Sequence, residues 1–273
     1  MATVLVVLPE SDFDPTEASV PWQSLSHQGH TLRFATPDGV QATADPRMLS
    51  GEGLGPWRAL LRADRNARAA YAAMQEDAAF RMPWSYREAL AQRVEGLLLP
   101  GGHAPGMRRY LESPDVHALI AEAFRRAIPV GAICHGVVAV ARTCDTAGRS
   151  VLHGRKTTAL TRTQELAAWC MTPWLGRYYR TYPQTVQSEV TAALARPGDF
   201  LSGPPALRRD DPAHPERGFV VRDGHYLSAR WPGDAHRFAN EFARMIDESA
   251  VSPRSPRVGP HDPDSAGTIE TPE

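Results

Sequence analysis

Short, wholly apolar runs separated by amphipathic stretches alternate through the first half of the chain. Thr3-Val4-Leu5-Val6-Val7-Leu8 stops at Pro9 and predicts a buried strand over 3 to 8. A helix over about 17 to 28, the stop signal Gly29 and a second strand over 31 to 35 complete a βαβ opening. Residues 37 to 81 carry little strand character, and 57 to 74 is rich in Ala, Arg and Leu at helical spacing, which predicts a small helical cap inserted over about 40 to 92. Gly96-Leu97-Leu98-Leu99, ended by Pro100-Gly101-Gly102, predicts a third strand, and a helix over 114 to 127 leads into a fourth, ending near Ile133. Beyond it the pattern predicts a helix over 136 to 143, a strand over 156 to 160, a helix from Gln164 and a helical stretch over 186 to 195. A hairpin turning at Asp223-Gly224 and a final amphipathic helix over 234 to 246 follow. Strands alternating with helices imply an α/β sandwich on a mostly parallel sheet.

Composition adds limits to this picture. The 273 residues are 42% hydrophobic, enough for one substantial core, so a single domain over 1 to 250 is expected. Residues 251 to 273 hold five prolines and almost no large apolar side chains, which predicts a disordered tail. With 30 basic and 31 acidic residues and no basic run, nucleic acid is not an expected partner. The apolar start falls far short of the roughly 20 residues that span a bilayer, so no membrane partner is expected either. Cys134, Cys144 and Cys170 are odd in number and form no C-x-x-C pair, which fits a reducing cytoplasm without a disulfide framework.

The chemistry concentrates at Gly131-Ala132-Ile133-Cys134-His135-Gly136, where a buried strand ends on a cysteine that opens a helix. A free thiol of pKa about 8.5 is only a few per cent ionised at neutral pH. A helix N-terminus supplies about 0.3 to 1 kcal/mol, up to about 2 when partly buried, and one pKa unit is about 1.4 kcal/mol, so the elbow alone lowers the thiol by about one unit. A partner is needed, and His135 and Glu17 are the candidates: one is adjacent in sequence, the other follows the first strand at the same carboxyl edge of a parallel sheet. Gly101, Gly102 and His103 follow the third strand there, and donors from Gly102, His103 and His135 are candidates for an oxyanion hole. Each signal alone has a plainer reading: a packed core thiol, a turn, a helix-capping acid. Their joint placement at one edge is what points to a cysteine nucleophile.

Four stretches carry a family resemblance: Phe13-Asp14-Pro15-Thr16-Glu17-Ala18-Ser19-Val20-Pro21, Leu99-Pro100-Gly101-Gly102-His103, Ala132-Ile133-Cys134-His135-Gly136 and Asp223-Gly224-His225-Tyr226-Leu227-Ser228-Ala229-Arg230. Over residues 1 to about 247 the chain resembles the ThiJ/PfpI superfamily, whose fold is similar to class I glutamine amidotransferases. Within it, Cys-His-Gly and the cap resemble the glyoxalase III and heat-shock chaperone branch. The resemblance implies a flavodoxin-like three-layer sandwich with a nucleophile elbow, a homodimer, and a glutathione-independent lyase or hydrolase acting on a small carbonyl substrate. It implies Cys134 as nucleophile, Glu17 as acid/base on the thiol and His135 as second proton-transfer group. Through Gly154-Arg155-Lys156-Thr157-Thr158 it also implies Glu165 as the carboxylate that orients the imidazole; read alone, Glu165 is a helix N-terminal acid. Two departures stand out: Val137 replaces the usual proline, and Trp169, Trp174, Tyr178, Tyr179 and Tyr182 crowd one segment, which implies a pocket larger than a three-carbon dicarbonyl requires.

Other classes receive less support. The ten histidines show no H-E-x-x-H or H-x-H spacing and no phosphate-binding glycine motif occurs, so neither a metal nor a cofactor is expected, with His103 the best single candidate for a ligand. Arg177 could meet an anionic substrate or stand solvated. The cap aromatics Trp57, Tyr71, Phe80, Trp84 and Tyr86 either roof a pocket or glue the cap to the body. The alternative function is a stress-response holdase or a redox sensor built on the same fold.

Overall fold

A computed structural model describes residues 1–206 and 208–251. The expected tail over 251 to 273 lies outside the described residues except for the last helical residue, Val251.

The strands are β1 (Thr3–Val7), β2 (Ser11–Phe13), β3 (Thr31–Thr36), β4 (Thr43–Ala44), β5 (Trp84–Ser85), β6 (Gly96–Leu99), β7 (Val130–Ile133), β8 (Val220–Asp223) and β9 (Tyr226–Ala229). Seven form one sheet in the order β5-β3-β1-β6-β7-β9-β8, while β2 and β4 pair in a second, two-stranded sheet. Every pair in the large sheet is parallel except the β8–β9 hairpin, in which Asp223 faces Tyr226. The main helices are α1 (Pro15–His27), α2 (Arg65–Glu76), α3 (Pro114–Arg125), α4 (Gly136–Arg142), α5 (Arg162–Met171), α6 (Val186–Ala192) and α7 (Ala235–Val251). α1 packs on α2 and α7 on one side of the sheet, and α3 and α4 lie against β6 and β7 on the other, giving the flavodoxin-like α/β arrangement.

Burial on both faces explains why the central strands are unbroken apolar runs. Val4 through Leu8 are all 0% exposed, and each such side chain contributes about 1.5 to 3 kcal/mol on leaving water. Because β1, β6 and β7 are neighbours with parallel register, their carboxyl ends open onto a single edge.

Two expectations change, and one of the two readings of the cap aromatics prevails. Lys156 to Leu160 is coil with one isolated bridge, Thr157 to Phe200, because Thr157 and Thr158 bond the side-chain hydroxyls of Tyr226 and Ser228 on β9 and not its backbone. The cap region carries an added edge strand, β5, beside β3. Its aromatics act mainly as glue: Tyr71 and Phe80 meet Phe13 and Phe34 edge to face, and Tyr86 is buried. Among the described residues no helix is long and apolar enough to cross a membrane.

Candidate active site

Cys134 sits at the end of β7 with φ 57°, the left-handed region that a non-glycine residue adopts at a cost of about 1 to 3 kcal/mol. The surroundings impose it. Its amide donates to Ala229 O at 3.1 Å and ends the β7–β9 ladder, while its carbonyl already accepts Val137 N at 3.3 Å and begins α4. Gly136 packs so closely on the Leu99 carbonyl that a Cβ there would collide with it. Val137, where proline is usual, is fully buried in the core.

Glu17 arrives from the first turn of α1. Asp14 caps that helix, its Oδ1 accepting the amides of Thr16 and Glu17 at 2.8 and 3.1 Å, and Pro15 supplies a fixed φ where no amide is needed. Glu17 is 0% exposed; its Oε2 accepts Gly101 N at 2.8 Å and its Oε1 is buried without a hydrogen-bond partner. A Cβ at Gly101 would stand 2.7 Å from Glu17 Oε2, His135 N and Ile133 O, so only glycine fits this junction.

Burial governs the charges here. It pushes the Glu17 carboxyl up, reinforced by the negative charge of Asp14, and pushes the Cys134 thiol up, reinforced by Glu17. Asp14 rises to about 6 for the same reason, with Arg209 opposing the shift. The downward pull expected of a helix N-terminus therefore loses to desolvation, which favours the neutral form of both the thiol and the carboxyl.

His135 Nδ1 lies 3.5 Å from Cys134 Sγ, and its Nε2 lies 3.2 Å from Thr181 Oγ1. The Thr181 hydroxyl donates its one hydrogen to His103 O at 2.6 Å, so it accepts from Nε2–H. That network assigns the tautomer and leaves the Nδ1 lone pair facing the sulfur. Burial lowers both His103 and His135 to about 3, so both rings are neutral at physiological pH.

The imidazole is thus held by Thr181 and not by Glu165, the carboxylate expected for that task. Glu165 Oε1 meets Arg180 Nε at 3.1 Å and Oε2 accepts Val186 N at 2.8 Å, fixing α5 to the start of α6. Sequence spacing offered no sign of Thr181. Of the expected oxyanion donors, His135 N is engaged with the sulfur, while the amides of Gly102 and His103 have no protein acceptor among the described residues. The His103 ring stacks on Tyr179 with centroids 4.2 Å apart, which fixes the loop that carries its amide.

Cys134, Glu17, Asp14, His103 and Glu165 line one cavity of about 350 Å³. Its remaining wall is largely apolar, from Leu60, Leu61, Leu160 and Met171, joined by Gln164, Tyr179, Arg209 and Trp231. Arg177 lies elsewhere, in a neighbouring groove with Trp174 and Tyr178. Among the described residues no three His, Cys, Asp or Glu side chains cluster as a metal site would require.

A parallel α/β sheet with a strained cysteine elbow at its carboxyl edge defines the class. Residues 8–193 match the family described as ThiJ/PfpI family-like, and the chain belongs to that family. The crystal structure of the rapid encystment protein of Francisella tularensis superposes with a TM-score of 0.63 at 18% identity, covering 90% of this chain and 99% of that one. Glyoxalase III from Candida albicans gives 0.57 at 16% identity, over 89% of this chain and 97% of that one. At such identities the likeness is one of fold. An uncharacterized protein of Schizosaccharomyces pombe is 29% identical over 119 residues, which are 43% of this chain and 43% of that protein.

Proposed function

We propose that the chain is a cofactor-free cysteine enzyme acting on a small electrophilic carbonyl, converting a 2-oxoaldehyde to a 2-hydroxy acid in the manner of glyoxalase III. The observation that carries this reading is the placing of Cys134 Sγ 3.5 Å from a neutral His135 Nδ1, beside buried Glu17, in a cavity sized for a small molecule. In the proposed reaction the sulfur adds to the aldehyde carbon and its proton passes to Nδ1. The hydrogen on that carbon then moves to the adjacent ketone carbon through an enediol, with Glu17 Oε1 and His135 as the proton carriers. Water cleaves the resulting thioester, releasing the hydroxy acid and restoring the thiol. The amides of Gly102 and His103 are the groups available to an oxyanion.

Cys134→Ala should abolish formation of 2-hydroxy acid from methylglyoxal, glyoxal and larger dicarbonyls while the circular dichroism spectrum is unchanged. Full turnover in that variant would refute the enzymatic reading. Glu17→Gln should alter the pH dependence of Cys134 alkylation. A holdase would instead keep suppressing aggregation of a client protein after Cys134→Ala.

A further inference from the structure

Three lining residues of the Cys134 cavity carry nitrogen donors that are buried and unpaired: Arg209 Nη1, Trp231 Nε1 and Gln164 Nε2. Each is fixed by its other contacts. Arg209 Nη2 donates to the carbonyls of Leu60 and Leu61 at 3.2 and 3.3 Å, and its guanidinium lies 5.6 Å from the Trp231 ring centre. Gln164 Oε1 accepts the amide and hydroxyl of Thr161 at 3.1 and 2.8 Å, which turns its NH₂ end away from that cap. The loop bearing Arg209 is tied down through the Arg230 guanidinium, which donates to Pro204 O at 2.6 Å and grips Asp234 through two bonds of 2.9 Å.

An unpaired buried donor costs about 1 to 3 kcal/mol, so a ligand that satisfies several at once is favoured. None of these three nitrogens can accept a hydrogen bond, so the complementary group is an acceptor only. A carboxylate fits: it is planar, has two oxygens, and matches a guanidinium edge. The acids of the same cavity do not occupy this role. Glu165 is paired with Arg180, Glu17 spends Oε2 on Gly101 N, and Asp14, whose charge Arg209 senses, spends Oδ1 on the first amides of α1. Arg208, exposed and lining the cavity too, adds positive charge. At about 30 Å³ for each water-sized group, a five-heavy-atom dicarbonyl would fill less than half of the 350 Å³ available.

We infer that the substrate is a 2-oxoaldehyde whose far end carries a carboxylate on a short aliphatic arm, received by Arg209, Trp231 and Gln164 while Cys134 meets the aldehyde. This rests on the reaction proposed above and names its substrate class. For the five-carbon case, 4,5-dioxopentanoate and one water give 2-hydroxyglutarate: the aldehyde carbon gains the water oxygen, its hydrogen ends on the neighbouring carbon, and one proton leaves as the new acid ionises. The oxidation of one carbon balances the reduction of the other, so no external oxidant is required.

The test compares kcat/KM for 4,5-dioxopentanoate with that for its uncharged methyl ester, in the wild type, Arg209→Met and Arg209→Lys. The wild type should prefer the acid by about tenfold or more, Arg209→Met should lose that preference whatever its absolute rate, and Arg209→Lys should keep part of it. Binding of 2-hydroxyglutarate and its 5-methyl ester to Cys134→Ser, measured by calorimetry, reads the same preference without turnover. Equal treatment of acid and ester in both assays overturns the inference even if both substrates are consumed. A binding preference without turnover of any dicarbonyl supports the carboxylate site and sinks the glyoxalase reading instead. If Arg209→Met fails to fold, the wild type and Arg209→Lys ratios decide.

Discussion

The two walls of the Cys134 cavity are built on different plans. One is the edge where β1, β6 and β7 end side by side, and there main-chain bonds pin nearly every group: Cys134 to Ala229, Glu17 to Gly101, Asp14 to the opening amides of α1. The other is made of α5 and the loops that carry Tyr179, just before Thr181, and Arg209, and it leaves donors buried without partners. The first wall fixes where a reacting carbon must sit. The second has polar capacity to spare, which a ligand can take up, so the same edge chemistry can serve different substrates through loop changes.

The contrast can be broken first at the rigid wall. A methyl at Gly101 has no room, so Gly101→Ala should lower turnover of the best dicarbonyl by about a hundredfold or more, the scale of an ångström misplacement at the reacting groups. A wild-type rate would show that the edge yields. Thr181→Val comes next, since it keeps shape and leaves Nε2–H of His135 unpaired. We expect kcat to fall about ten- to a hundredfold, with Thr181→Ser restoring most of it; a change confined to KM would reassign Thr181 to substrate contact.

Asp14 sharpens the comparison through stability. Its folded-state pKa is raised from 3.8 to about 6, so the native state holds this proton to higher pH than the unfolded chain does. Wild-type stability accordingly declines as pH rises from about 4 to 6, and above that window the buried charge costs on the order of 3 kcal/mol. Asparagine keeps the capping oxygen without the charge. Asp14→Asn should therefore show a higher denaturation midpoint than wild type at pH 8 and little difference near pH 4; a lower midpoint at pH 8 would show that the charge is needed. The smallest effect is expected at Glu165, where glutamine can still accept Val186 N and loses only the attraction to Arg180. A kcat change within about threefold, with a lower denaturation midpoint because Arg180 is left buried without its counter-charge, fits that role, whereas a kcat loss near a hundredfold would return Glu165 to the imidazole.

The rigid wall was legible because each of its parts is local. Unbroken apolar runs mark β1, β6 and β7, Pro-Gly-Gly and Cys-His-Gly mark their ends, and a parallel sheet brings those ends to one edge. The cap Asp14 starts α1 at Pro15, two residues before the expected position, and its charge consequence appears only with burial. The loop wall has no such grammar. Thr181 reaches His135 across 46 positions, from a segment whose aromatics dominate its pattern, and Arg209 follows a Pro-rich stretch with no periodicity. The short β2 and β4 were invisible for a related reason: three and two residues are too few to show alternation. Threonines at 157 and 158 looked like strand because their β-branching suits one, but side-chain bonds to Tyr226 and Ser228 decided their conformation.

The placement of the three sulfurs has a practical consequence. Cys144 and Cys170 face solvent while Cys134 is 4% exposed, so a bulky maleimide should label two positions at once and the third only when the molecule breathes. The lag of that last reaction is a built-in clock for how often the pocket opens, and it can be read without knowing what the protein consumes.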